Sequence, residues 1–116
     1  MLHHKNIRLR RFNDVGQRCY FLTLCCFDRP PVFSDLKRRA WLSDEFRAES
    51  ASRSFAIHAY CIMPDHFHFV AEGQGPSSDL LGFAKSFKIK TSHQYQAEAS
   101  HPLWQKEILR SHQPFP

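Results

Sequence analysis

The sequence predicts an α+β domain in which two helices pack on one face of a four-stranded antiparallel sheet. Three observations predict it: two gap-free apolar runs, a third run in which polar and apolar residues alternate, and two stretches with helical caps and periodicity. The 116 residues allow one domain. Hydrophobic residues are 42% and charged residues 23%, a composition typical of a globular chain.

The domain is expected to span residues 1–116 as one unit, with residues 1–18 as a basic N-terminal arm. Residues 19–27 are short, apolar and aromatic, which predicts a buried strand. Pro30–Pro31 ends this strand, because proline cannot donate a hydrogen bond to a sheet.

A helix is expected next, capped by Ser34 or Asp35 and ending near Ala51. The second apolar run, residues 55–63, predicts another strand. The Pro64–Asp65 pair then favours a tight turn into the following segment.

Residues 66–72 predict a third strand, and this one alternates. Phe67 and Phe69 share one face, suited to packing against helices, while His66 and His68 share the other. The two histidines should therefore lie on the face that the helices leave open.

A second helix is predicted over residues 80–96, capped by Ser78 or Asp79. One more strand is needed to complete the sheet, and residues 103–109 are the segment that remains. The resulting order of strands and helices is the ferredoxin-like plan.

The charge and the cysteines limit the partners and the compartment. A net charge of +5 suggests an anionic partner, with nucleic acid the first candidate. No apolar run approaches the roughly 18 residues of a membrane span, so no membrane partner is expected. None of the four cysteines forms a C-x-x-C pair, which disfavours a zinc ribbon. Cys25 and Cys26 lie in an apolar run and are interpreted as buried free thiols, which predicts a reducing cytoplasm.

His66 and His68 are the residues that point most specifically to a function. They stand two residues apart on a strand, so both imidazoles project from one face about 7 Å apart along the chain. Two neutral imidazoles so placed can bind one divalent cation. The residues alone leave open the alternative of two ordinary histidines on a half-exposed strand.

A third metal ligand must come from elsewhere, and two carboxylates are candidates. Asp65 is adjacent to the pair but is typical of a turn residue. Glu72 shares the face of His66 and His68 by alternation, which makes it the better candidate.

The stretch from Ala59 to Val70, AYCIMPDHFHFV, resembles the signature of the single-tyrosine HUH transposases. In those enzymes a strand leads into Met-Pro-Asp/Asn-His-x-His and then a second apolar strand. Other landmarks, spread over roughly residues 7–107, resemble the branch called REP-associated tyrosine transposases. They are Ile7–Phe12, Tyr20–Thr23, Ser78–Leu80, Phe87–Lys88 and Leu103–Lys106.

The resemblance implies an HUH-endonuclease type of ferredoxin-like fold and a transposase-like domain that binds single-stranded or hairpin DNA. In the family, a tyrosine attacks a phosphodiester, becomes joined to the 5′ phosphate and releases a 3′ hydroxyl. His66 and His68 and one further polar residue would hold Mg²⁺ or Mn²⁺, which stabilises charge on the phosphate.

The family's nucleophile lies on a helix after the fourth strand, with an Asn or Gln four residues later. None of the three tyrosines of this chain has that spacing. The resemblance therefore implies a C-terminally truncated member with impaired cleavage, and leaves open whether it is an enzyme. Tyr95 is a candidate for a substitute nucleophile, but its position near the end of the second helix favours a packing or surface residue.

Six basic side chains are expected to contact DNA phosphates. For each of them the alternative is a solvated basic residue without a DNA contact. They are Arg8, Arg10 and Arg11 in the arm and Lys85, Lys88 and Lys90 on the second helix. The alternative function is a non-catalytic nucleic-acid-binding module in which the histidine pair is incidental. Loss of the family's terminal helix and part of the sheet would expose apolar surface and a sheet edge, which predicts marginal stability or association through that edge into a homodimer.

Overall fold

The computed structural model describes residues 18–112, which form a four-stranded antiparallel sheet and two helices. The order of strands across the sheet is β2-β3-β1-β4, so β2 and β4 are the edge strands. The strands are β1 Cys19–Cys25, β2 Phe55–Met63, β3 His66–Gly73 and β4 Leu109–His112. The helices are α1 Leu36–Ser52 and α2 Leu80–Gln96. The predicted fold class is confirmed.

The hydrophobic core lies between the sheet and the two helices. Phe46 of α1 is fully buried at its centre, 4.9 Å from Phe67 and 4.7 Å from Phe69 between ring centroids. Phe83 and Phe87 of α2 contact the same ring at 5.9 and 5.5 Å. Phe67 and Phe69 thus face the helices, as their alternation with the histidines predicts.

Both helices begin at an aspartate that caps them. The Asp35 side chain accepts a hydrogen bond from the Lys37 amide at 2.9 Å. The Asp79 side chain accepts one from the Gly82 amide at 3.2 Å. These bonds satisfy amide groups that the first turn of a helix leaves without a partner. Asp35 rather than Ser34 caps the first helix, and Asp79 rather than Ser78 caps the second.

The fourth strand lies later in the chain than residues 103–109, so that prediction was wrong in position. Leu103 and Trp104 instead fill the core, at 1% and 6% exposure. The Trp104 indole donates to Thr91 Oγ1 at 2.9 Å, and the Gln105 amide donates to the Cys25 carbonyl at 3.0 Å. The segment therefore anchors the chain beneath the end of β1 before β4 begins.

The other face of the sheet carries neither helix in residues 18–112, and we call it the helix-free face. Cross-strand pairing places alternate residues of three strands on it. They are Cys19, Phe21, Thr23 and Cys25 of β1; Ala56, Ala59, Cys61 and Met63 of β2; and His66, His68, Val70 and Glu72 of β3.

Neither helix of the described chain is long and apolar enough to cross a bilayer.

Candidate metal centre

His66 and His68 lie together at the start of β3 on the helix-free face. Their ring centroids are 4.5 Å apart and the rings are nearly perpendicular, at 82°. The rings lean toward each other, since two residues of strand alone would separate them by about 7 Å. One cation could therefore contact both imidazoles.

Each histidine ring is held through its Nδ1 atom. His66 Nδ1 lies 2.6 Å from Asp65 Oδ1, and His68 Nδ1 lies 3.0 Å from Thr23 Oγ1. A carboxylate or hydroxyl on one ring nitrogen fixes the tautomer of a metal-binding histidine and directs the other nitrogen to the metal. The two Nε2 atoms are thus the donors that this arrangement would offer to a divalent ion.

Asp65 is itself held by a second partner. Arg29 Nε donates to Asp65 Oδ2 at 3.0 Å. The hydrogen bond from His66, and after it the one from Arg29, holds the pKa of the Asp65 carboxyl below its usual range. Asp65 therefore stays ionised and can accept the Nδ1 proton of His66.

Arg29 reaches Asp65 from a turn with unusual backbone geometry. Asp28 and Arg29 have φ angles of 61° and 57°, in the left-handed region that costs a non-glycine residue about 1–3 kcal/mol. The Arg29 amide donates to the Cys26 carbonyl, and the Cys26 amide donates to the Asp65 carbonyl at 2.9 Å. The first bond closes the turn after β1, and the second joins this turn to the β2–β3 turn.

The structure does not bring Glu72 beside the histidine pair. Glu72 is on the same face, but it stands four residues from His68, about 13 Å along an extended strand. Its Oε1 lies 2.8 Å from His58 Nε2 instead. Among residues 18–112, His66 and His68 do not complete a cluster of three His, Cys, Asp or Glu ligand atoms. The donor set fits a divalent ion with two nitrogen ligands and further positions for oxygen.

All three tyrosines lie on the helical side of the sheet. Tyr20 is buried in the core. Tyr95 is 6% exposed, its hydroxyl lies 3.2 Å from His101 Nε2, and burial raises the pKa of its phenol. Tyr60 is more exposed but packs against Phe46 of α1. The structure therefore brings no tyrosine of the chain to the histidine pair.

Tyr60 has a polar environment that the sequence did not indicate. Its hydroxyl lies 2.7 Å from Ser43 Oγ and accepts a hydrogen bond from Arg47 at 3.3 Å. These bonds, that of Ser43 first, lower the pKa of the Tyr60 phenol. The two partners are on α1, so this hydroxyl points away from the helix-free face.

Two of the predicted DNA-binding lysines make contacts within the protein. Lys88 is half-buried and donates to the carbonyls of Gln105 and Lys106 at 2.8 and 2.9 Å. Lys90 pairs with Glu49 of α1 at 2.7 Å. Lys85 is exposed. The predictions for Arg8, Arg10 and Arg11 fall outside the described residues.

Sequence reasoning missed Thr23 and Arg29, the two residues that complete the surroundings of the histidines. Thr23 is opposite His68 only because of the register between β1 and β3. Arg29 reaches Asp65 only because of the strained turn. No local pattern indicates either contact, although an Arg after the first strand and an Asp before the third could have suggested an ion pair.

Comparisons with known proteins identify the family and the fold of the chain. The family model for IS200-like transposases matches residues 15–112. The fold is similar to that of a REP-associated tyrosine transposase bound to a REP hairpin, with a TM-score of 0.76 and 15% identity. That alignment covers 95% of this chain and 62% of the relative, so the chain spans less than two thirds of the relative's length.

A second solved structure, a candidate transposase from Deinococcus radiodurans R1, is similar with a TM-score of 0.70 and 19% identity, covering 90% of this chain and 85% of that one. No curated protein matches significantly. The family model spans most of the described chain, and both solved structures share its fold. The chain therefore belongs to the family of IS200-like transposases.

Proposed function

We propose that this chain is a transposase-type domain that binds single-stranded DNA beside a hairpin, with a divalent ion held between His66 and His68. One observation carries the proposal. Both rings of the pair are anchored through Nδ1, by Asp65 and Thr23, on a sheet face that neither helix covers. Metal-binding histidines almost always have such a partner on the ring nitrogen that does not contact the metal.

The similarity to known transposases supports a DNA partner. One relative with this fold was solved bound to a REP hairpin. The positive charge of this chain, +5, favours a polyanion. Salt should weaken such binding, with a slope of about −0.7 in log salt for each phosphate contact to a single strand.

The residues around the pair have distinct roles in this proposal. His66 and His68 would bind Mg²⁺ or Mn²⁺ through Nε2, and the bound ion would supply charge that polarises a phosphate oxygen. Asp65 and Thr23 hold the rings in orientation. Arg29, which is half-exposed beside Asp65, adds positive charge close to where a phosphate would lie.

An aromatic side chain next to the pair offers a surface for a base. Phe21 is on the helix-free face, and its ring centroid lies 5.9 Å from that of His68. Stacking of a base on such a ring is worth about 1–3 kcal/mol and depends little on sequence. We assign Phe21 to an unpaired base of the strand.

We infer that this chain binds DNA without cleaving it through one of its own tyrosines. All three tyrosines lie on the helical side, and the buried Tyr95 has a raised pKa, which disfavours a phenolate nucleophile. In a denaturing gel of protein mixed with labelled hairpin DNA and Mn²⁺, no shifted covalent band is expected. A band that Tyr95→Phe or Tyr60→Phe abolishes would contradict this inference.

The binding proposal is tested by fluorescence anisotropy with a labelled single-stranded hairpin, in Mn²⁺ and in chelator. Wild type should bind more tightly with Mn²⁺, and His66→Ala/His68→Ala should lose that gain while keeping salt-sensitive binding. His101→Ala, a histidine on the helical side, is the matched control and should behave as wild type. If the double variant keeps the full Mn²⁺ effect, the pair is incidental and the chain is a nucleic-acid-binding module without this metal centre.

A further inference from the structure

A second cluster of metal-binding side chains lies at the opposite end of the helix-free face. Cys19 begins β1, Glu72 is near the end of β3, and the register places these two residues directly opposite each other. His58 comes from β2 and lies 2.8 Å from Glu72. A thiol sulfur, an imidazole nitrogen and a carboxylate oxygen from the three residues all lie within 4.8 Å of one another.

A β-bulge brings the histidine into this cluster. The register of β2 against β3 shifts between Ile57 and Ala59, which leaves His58 as the extra residue. Bulges bend a strand and re-aim side chains, and they are frequent beside functional sites. Ala56 pairs with Glu72 just before the shift, so the bulge falls where the imidazole can reach the carboxylate.

The donor set is the one that zinc prefers. Zn²⁺ is bound by cysteine, histidine and carboxylate ligands, and catalytic or exchangeable sites often have three protein ligands and one open position. With Zn–ligand bonds of about 2.0–2.3 Å, the ligand atoms of a tetrahedral site lie roughly 3.3–3.8 Å apart. The separations here, 2.8 Å for the imidazole and carboxylate and at most 4.8 Å overall, are within a small side-chain adjustment of that spacing.

The chemistry also separates this cluster from the histidine pair. A thiolate selects a softer metal than the ions that favour oxygen ligands, such as Mg²⁺. Glu72 and His68 are four residues apart on β3, which is about 13 Å. One ion therefore cannot use both sites.

We propose that Cys19, His58 and Glu72 form a zinc-type site, independent of the ion at His66 and His68 and of DNA binding. The ion would bind the thiolate of Cys19, displacing its proton to solvent. All three ligands are at least partly exposed, so an ion can enter from the helix-free face. Bound there, it would join the start of β1 to β2 and β3.

Cobalt(II) tests the site, because it substitutes for zinc and has a charge-transfer absorption when a thiolate is a ligand. Titration of the reduced, metal-free full chain with Co²⁺ should produce that near-ultraviolet band, and Zn²⁺ should abolish it. Cys19→Ser should remove the band. His58→Ala should weaken Co²⁺ binding by about 100-fold or more, since loss of an outer-shell partner alone costs about 10–100-fold.

Two control variants separate this site from other groups of the chain. Cys61→Ser changes an exposed cysteine on the same face, and His66→Ala/His68→Ala removes the other site; both should keep the band. Glu72→Gln keeps the size of the side chain and should weaken Co²⁺ binding even if Cys19→Ser does not fold. The proposal is overturned if wild type shows no thiolate band, if the band survives Cys19→Ser or is lost with Cys61→Ser, or if Glu72→Gln binds as wild type.

Discussion

At the scale of single residues, the histidine pair depends on two hydrogen bonds that its own strand does not supply. Alternation on β3 predicted that His66 and His68 share a face, because that follows from the geometry of any strand. The contact of Thr23 with His68 depends on the register of β1 against β3, which no local pattern determines. Alternation also predicted Glu72 as a third ligand. That prediction was wrong because alternation gives the face on which a side chain lies but not its distance from the histidine pair.

Thr23→Val is predicted to weaken Mn²⁺ binding by about 10–100-fold, the usual cost of losing an outer-shell partner. Valine has the shape of threonine but no hydroxyl to hold His68 Nδ1. Isothermal titration of the metal-free chain with Mn²⁺ measures the change. Ser43→Ala, which removes a hydroxyl on the helical side, is the control and should bind as wild type.

Asp65→Asn is predicted to lower the free energy of unfolding at neutral pH but not in acid. Because the folded-state pKa of Asp65 is depressed, first by His66 and then by Arg29, its stabilising effect is present above its unfolded pKa of about 4. The effect is lost as the pH falls through the lower folded-state pKa. Urea unfolding of wild type and variant at several pH values should show the two converging in acid. A difference that stays constant with pH would contradict the assigned cause.

At the scale of secondary structure, the sequence predicted the elements whose limits are set locally. The caps Asp35 and Asp79 and the turn after Met63 define α1, α2 and β2 within a residue or two. The position of the fourth strand was predicted wrongly because an apolar segment can either form a strand or fill the core. Only the tertiary contacts of Trp104 decide between these alternatives.

Lys88→Met is predicted to destabilise the chain by about 1–3 kcal/mol, because the lysine donates charge-assisted hydrogen bonds to two carbonyls of the segment before β4. Burial lowers the pKa of Lys88, in agreement with a structural position. Urea unfolding measures the loss. Lys85→Met, on the exposed side of the same helix, should leave stability unchanged. If Lys88→Met instead reduces the salt slope of DNA binding and leaves stability as it was, Lys88 contacts phosphate.

At the scale of the whole molecule, the two faces of the sheet divide the roles. The helical face contains the aromatic core and the three tyrosines, and the helix-free face carries the two sites proposed to bind metal ions. The resemblance of AYCIMPDHFHFV to the transposase signature identified the family. It could not locate Arg29 or the bulge at His58, which arise only from the folded backbone.

The homodimer predicted from the sequence remains a prediction, and β2 is one of the two edge strands that could form it. Its exposed residues include Ala59 on the helix-free face. Ala59→Lys is predicted to reduce self-association, because a charge on an edge strand opposes pairing with another chain. Sedimentation velocity over a range of concentrations measures this. Ala97→Lys, at the exposed end of α2, is the control, and equal association of wild type and Ala59→Lys would exclude this edge.

The proposed metal site at His66 and His68 is tested most directly by locating Mn²⁺ on the protein in the presence of hairpin DNA. Paramagnetic broadening of amide signals in an NMR spectrum of the isotope-labelled chain reports which residues lie near the ion. Broadening should be centred on His66 and His68 and on the adjoining Thr23, and it should be absent in His66→Ala/His68→Ala. Broadening centred elsewhere, or unchanged in the double variant, would contradict it.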